Sequence, residues 1–165
     1  MGSGKSSVGK ELAKLLPSME LIDLDSYIEA MSDRTIPEIF DTEGEEAFRQ
    51  MERSALEDIF MTGDLTGASY ILSLGGGTVM TEACRRMIRR HTTCFYLKAS
   101  VETLVRNLET WPGDRPMLKG GKSLRSRVEE LMATRSPIYE KTAHHIINVD
   151  GDDYLAAAVD IVTLM

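Results

Sequence analysis

Gly2-Ser3-Gly4-Lys5-Ser6-Ser7 runs directly into VGKELAKLL, whose Val8, Leu12, Leu15 and Leu16 share one helical face before Pro17 stops the helix. This is the latter half of the pattern GxxxxGK[ST]. Glycines let backbone N–H groups close around phosphate oxygens at the positive end of a helix. In that arrangement Gly2, Ser3, Gly4, Lys5, Ser6 and Ser7 wrap the phosphates, Lys5 reaches the β- and γ-phosphates, and the Ser6 hydroxyl ligates Mg²⁺. Folds that use the loop feed it from a central strand, buried on both faces and neighboured on both edges. Here the first glycine of the pattern would fall two positions before Met1, and no strand leads in. The expectation is that Met1 is internal, with the natural chain starting roughly ten residues earlier, about one strand plus a turn.

The rest of the chain alternates short strands with helices, the pattern of an α/β protein with a parallel sheet. Strands are expected at residues 20–24, 70–74, 93–97 and 146–149. Helices are expected at 5–16, 26–31, around Pro37, and at 45–61, 81–90, 101–108, 123–134, 137–143 and 154–164. A length of 165 residues with 42% apolar content suits one domain with a real core. The segment Trp111–Lys122, rich in Gly, Pro and charge, reads as a mobile lid of that domain. Against 19 basic residues stand 26 acidic ones, a net charge of −7, which excludes a general nucleic-acid binder. No run of 18 apolar residues spans a membrane, and no signal peptide opens the chain. Cys84 and Cys94 form neither a CxxC pair nor a metal cluster, so a reducing, cytoplasmic setting is expected.

Three further features carry chemistry. Asp23 and Asp25 alternate at the carboxyl end of a strand, where ligands bind in open α/β sheets, so they are expected on opposite faces; helix capping is the plainer account of the pair. Arg49 and Glu52 lie three apart on a long helix and share a face. Gly75-Gly76-Gly77 follows the strand ILSL, where glycines allow ligand and backbone to approach closely.

MGSGKSSVGKELA, IDLDSYIE, IPEIFDTEGEEAFRQMERSAL, ILSLGGGTV, DRPML and TRSPIYEKTA, in this order, resemble the shikimate kinases over essentially the whole chain. These are relatives of the nucleoside monophosphate kinases that phosphorylate the 3-hydroxyl of shikimate with ATP. The resemblance implies a three-layer α/β/α fold with a central parallel sheet. Residues 1–165 form one kinase domain, with the lid near 111–122 and substrate-binding helices near 26–61. It implies that Asp23 organises Mg²⁺ through water and that Asp25 holds substrate hydroxyls and accepts a proton. Arg49, oriented by Glu52, and Arg135 grip the substrate carboxylate beside Gly75, Gly76 and Gly77. Arg115 in the lid swings over the γ-phosphate, and Arg106 stacks on adenine, with further adenine contacts near Asn148–Asp152. The partners implied are ATP and shikimate alone, without nucleic acid or membrane, for a monomer acting in aromatic amino-acid biosynthesis. Two alternatives stay open. A gluconate-kinase-like enzyme would share loop and lid without needing Arg49 and Arg135, and a non-catalytic nucleotide-binding paralogue would bind ATP and transfer nothing.

Overall fold

The computed structural model describes residues 2–110, 123–151 and 153–165. Lys5–Leu15 forms α1, Glu20–Asp23 β1, Leu24–Ser32 α2 and Ile36–Thr66 α3. Tyr70–Ser73 is β2, and a 3-10 turn at Thr78–Met80 leads to α4 at Glu82–His91. Phe95–Lys98 is β3, Val101–Thr110 α5, Leu124–Thr142 α6, His145–Asn148 β4 and Tyr154–Leu164 α7.

Local chemistry explains the boundaries. Thr35 and Glu38 form a reciprocal capping box at the start of α3, with Pro37 in its first turn. Gly44 breaks α3 with φ 82° and ψ 178°, a conformation that glycine adopts without strain, so one helix runs into Gly44 and a second leaves at Glu45. The helices expected at 123–134 and 137–143 are one continuous α6, with Pro137 inside it. An internal proline costs about 3 kcal/mol. Packing of Val128 and Met132 before it, and of Ile138 and Tyr139 after it, into the two cores opposes that local preference.

All strand pairs are parallel: β1 with β2 from Glu20–Tyr70 to Asp23–Ser73, and β3 with β4 from Phe95–His145 to Lys98–Asn148. Among the described residues these are two separate two-stranded sheets. β2 sends Ile71 to one core and Tyr70 and Leu72 to the other, the alternation of a strand covered on both faces. Val8 and Leu12 of α1, Leu97, Ile147 and Ile161 belong to the first core. Leu24, Ile39, Phe48, Leu56, Phe60 and Ile88 belong to the second. Between the sheets lies a cavity of about 610 Å³, bordered by Ile71 and Leu72 of β2, Phe95 and Leu97 of β3, and Val8 and Leu12 of α1. Close-packed interiors hold few voids larger than a water molecule, so this is a slot in the sheet rather than a packing defect.

Candidate active site

The loop is shaped as its composition requires. Gly4, with φ 79°, caps α1 in the left-handed region, and no side chain caps the helix nor does an acid occupy its first turn. Its N-terminal amides therefore face outward with the helix dipole behind them. A Cβ on Gly4 would lie 2.4 Å from the Tyr154 ring, so the position admits only glycine. Asn107 of α5 donates to the Gly2 carbonyl at 2.8 Å, holding the loop against that helix. Arg106, the preceding residue, is exposed on α5 beside the loop. Ser3 is buried, Ser6 is exposed, and Ser7 lies on the first turn of α1. Ser3 and Lys5 line a small cavity of about 100 Å³ together with Gly75, Gly76 and Tyr139, which joins the loop to the glycine run.

The two aspartates do not alternate along a strand. Asp23 ends β1 and caps α2, accepting from the Ser26 amide at 3.1 Å, whereas Asp25 already lies in the first turn of α2. β1 is only four residues long, so the helix begins before the period-two pattern reaches Asp25. Burial, then the nearby carboxylates of Asp23 and Glu52, push Asp25 up to about 6, against the pull of Lys5. A carboxylate with raised basicity within the field of the loop lysine is suited to accept a proton.

Arg49 lies on α3 beyond the Gly44 break. Its Nη1 donates to Glu52 Oε2 at 2.6 Å, and its Nη2 donates to Glu45 Oε1 at 2.8 Å. Magnitudes separate the two contacts. Glu45 is half exposed, and such a surface pair contributes at most about 1 kcal/mol. The Glu52 side chain is 1% exposed, and breaking a pair that deep costs about 3–5 kcal/mol. Glu52 therefore sets where Arg49 points. Arg135 is buried on α6, one turn before Tyr139. Burial raises the Tyr139 hydroxyl, while Arg135 and then Arg49 pull it back. Arg49 from α3 and Tyr139 from the helix that bears Arg135 both reach the glycine run, at Gly77 and Gly76.

The glycine run serves this cluster as well as any ligand. A Cβ on Gly77 would lie 2.3–2.5 Å from the Arg49 guanidinium. One on Gly75 would meet Asp25 Oδ1 at 3.0 Å, Thr78 Oγ1 at 3.1 Å and Glu52 Oε1 at 3.2 Å. Gly76 offers its carbonyl to the Tyr139 hydroxyl at 2.5 Å. Tyr139 and Thr78 were not singled out from the sequence. The signal for Tyr139 was its place one helical turn after Arg135, whereas Thr78 carried none. Asp150 in the expected adenine segment accepts from the Ser100 amide at 2.7 Å, and the Asp150 amide donates to Asn148 Oδ1 at 2.9 Å. Asp152, the lid at 111–122 and Arg115 lie outside the described residues. No cluster of three His, Cys, Asp or Glu side chains that could hold a metal occurs among the described residues. Nor does any described helix have the length and apolarity to cross a membrane.

Fold and site together define a class: an α/β phosphate-loop kinase with a basic pocket beside the loop. The family model "SKI: Shikimate kinase" matches residues 1–165. A shikimate kinase from Thermus thermophilus is 41% identical over 152 residues, covering 92% of this chain and 78% of that protein. Shikimate kinase 2 from Enterobacter sp. 638 is 37% identical over 149 residues, covering 89% and 81%. The structure of shikimate kinase from Acinetobacter baumannii in complex with shikimate superposes with a TM-score of 0.89 at 30% identity, covering 99% of this chain and 87% of that one. The chain belongs to the shikimate kinase family. It is an ATP-dependent shikimate phosphotransferase of aromatic amino-acid biosynthesis.

Proposed function

We propose that this site transfers the γ-phosphoryl group of ATP to the 3-hydroxyl of shikimate, with the residues in the following roles. The amides at Gly2–Ser7 and Lys5 cradle the phosphates. Arg49 and Arg135 hold the substrate carboxylate, for which forked guanidinium groups suit better than ammonium. Backbone at Gly75, Gly76 and Gly77 borders the substrate. Asp25 holds the acceptor hydroxyl and takes its proton. Arg115 from the lid neutralises charge on the transferred group, and Arg106 flanks adenine. Positioning and electrostatics provide most of the acceleration in phosphoryl transfer.

The donor set suits Mg²⁺, which keeps several waters and needs few protein ligands. The Ser6 hydroxyl on the first turn of α1 would hold it directly and Asp23 through water, and when bound it neutralises phosphate charge. Residues 1–165 act as one kinase domain, with the substrate held between the glycine run and the helices α2 and α3. The protein works in the cytoplasm as a monomer on two small molecules, without nucleic acid or membrane.

The Arg49 guanidinium packed on Gly77, Asp25 on Gly75, and Tyr139 of the Arg135 helix bonded to Gly76 carry this reading. Gluconate is also a carboxylate, so the preference for shikimate rests on the family match and not on the arginines alone. Arg135→Lys should raise the shikimate KM about tenfold or more, the scale of a lost charged hydrogen bond, with the ATP KM little changed. Equal shikimate KM values for wild type and variant would contradict the assignment.

A further inference from the structure

Glu52 is a buried charge with both oxygens engaged: Oε2 accepts from Arg49 Nη1 at 2.6 Å, and Oε1 accepts from Thr78 Oγ1 at 2.6 Å. Thr78 is itself fully buried, at the first position of the 3-10 turn that closes the glycine run. Its amide donates to the Gly75 carbonyl at 3.3 Å, which fixes the backbone carrying the hydroxyl. Tyr139 reaches the same run from the opposite side, donating to Gly76. The glycine run is therefore fastened to α3 through Thr78 and to α6 through Tyr139, the two helices that bear Arg49 and Arg135.

A short hydroxyl-to-carboxylate bond is among the strong ones, and a buried carboxylate oxygen deprived of its donor must reorient to find another. The space around Glu52 Oε1 is already filled by Thr78 Oγ1 and Asp25 Oδ1, both near the missing Cβ of Gly75. No second donor is at hand there among the described contacts of Oε1, so a Glu52 released by Thr78 would turn and carry Arg49 with it.

We propose that Thr78 is a positioning residue for the substrate carboxylate: its hydroxyl fixes Glu52, and Glu52 so fixed aims the Arg49 guanidinium. This rests on the reading of Arg49 as a carboxylate-binding group. A merely structural threonine would affect both substrates and stability alike. A positioning threonine acts on the acid substrate alone and depends on its hydroxyl.

The test is steady-state kinetics of Thr78→Val and Thr78→Ser, varying shikimate and ATP separately, with Arg49→Lys measured alongside. Valine keeps the shape and removes the donor, and should raise the shikimate KM about tenfold while the ATP KM stays within about twofold. Serine keeps the donor and should restore the wild-type value. If valine prevents folding, Thr78→Ala reads the same loss with a smaller side chain. A shikimate KM unchanged without the hydroxyl, a parallel rise in both KM values, or failure of serine to restore overturns the proposal. Should Arg49→Lys raise the shikimate KM while Thr78→Val does not, the proposal alone fails. Should Arg49→Lys leave it unchanged, the carboxylate reading beneath it fails too.

Discussion

At the scale of single residues, the environment that raises the Asp25 carboxyl, proposed above to serve catalysis, also costs stability. Its carboxyl is held at about 6 by burial and by Asp23 and Glu52, whereas an unfolded chain releases that proton near 3.8. Between these values the folded state binds more protons than the unfolded one, so stability from this group falls as pH rises through that window. Asp25→Asn should therefore melt above wild type at pH 8, an advantage that shrinks as pH drops from 6 towards 4. Thermal melts across that range check it, and a variant destabilised at pH 8 would contradict it. The same substitution should cut kcat by about 10²–10⁴, the usual contribution of a general base. In the wild type, kcat/KM should fall on acidification below about 6, as Asp25 takes up its proton. Asp25 stands out in the sequence as a candidate because it follows a short strand, and the structure buries it within the field of Lys5. Its exact surface was not legible, since a four-residue strand ends before alternation can assign faces.

At the scale of elements, the site depends on glycines that make room for side chains from other segments. Gly77 has φ −99°, which any residue adopts, so its necessity comes from the Arg49 guanidinium lying where a Cβ would be. Because that group ends a flexible side chain, Gly77→Ala should shift the guanidinium about its Glu52 contact without breaking the pair, and leave the fold nearly intact. The expected result is a melting temperature close to wild type with a shikimate KM raised up to about 10²-fold, the cost of a misplacement of about 1 Å. A large loss of stability with unchanged KM would show that the run serves folding instead. A glycine run announces itself in sequence, but the identity of its neighbours comes from pairing across the chain. The unity of α6 was illegible for a related reason. Pro137 is a helix breaker by local rules, and tertiary packing of apolar residues on both sides of it overrides them. The Gly44 break in α3, by contrast, matches the separate short helix expected around Pro37 and the long one from Glu45.

At the scale of the whole molecule, parallel strands, covering helices and ligand-bearing strand ends were legible from alternating patterns and the loop motif. Among the described residues the sheet is divided into two pairs, with two cores and a 610 Å³ slot between them, which local patterns along the chain do not announce. An apolar, β-branched strand with a short turn, roughly ten residues in all, fused ahead of Met1 should fill the slot and pair with β2 and β3. The fused chain should then melt higher and protect the amides of both strands from exchange, and unchanged exchange there would show that the slot takes no strand. The central claim remains the chemistry: two arginines and a raised aspartate beside a phosphate loop make a kinase for shikimate. Its most direct measurement is ADP release from Mg²⁺-ATP with shikimate, with gluconate, and with neither. The account predicts release that depends on shikimate, is absent with gluconate, and is lost in Asp25→Asn. Release that follows gluconate, or ATP binding with no release for any acceptor, would contradict it.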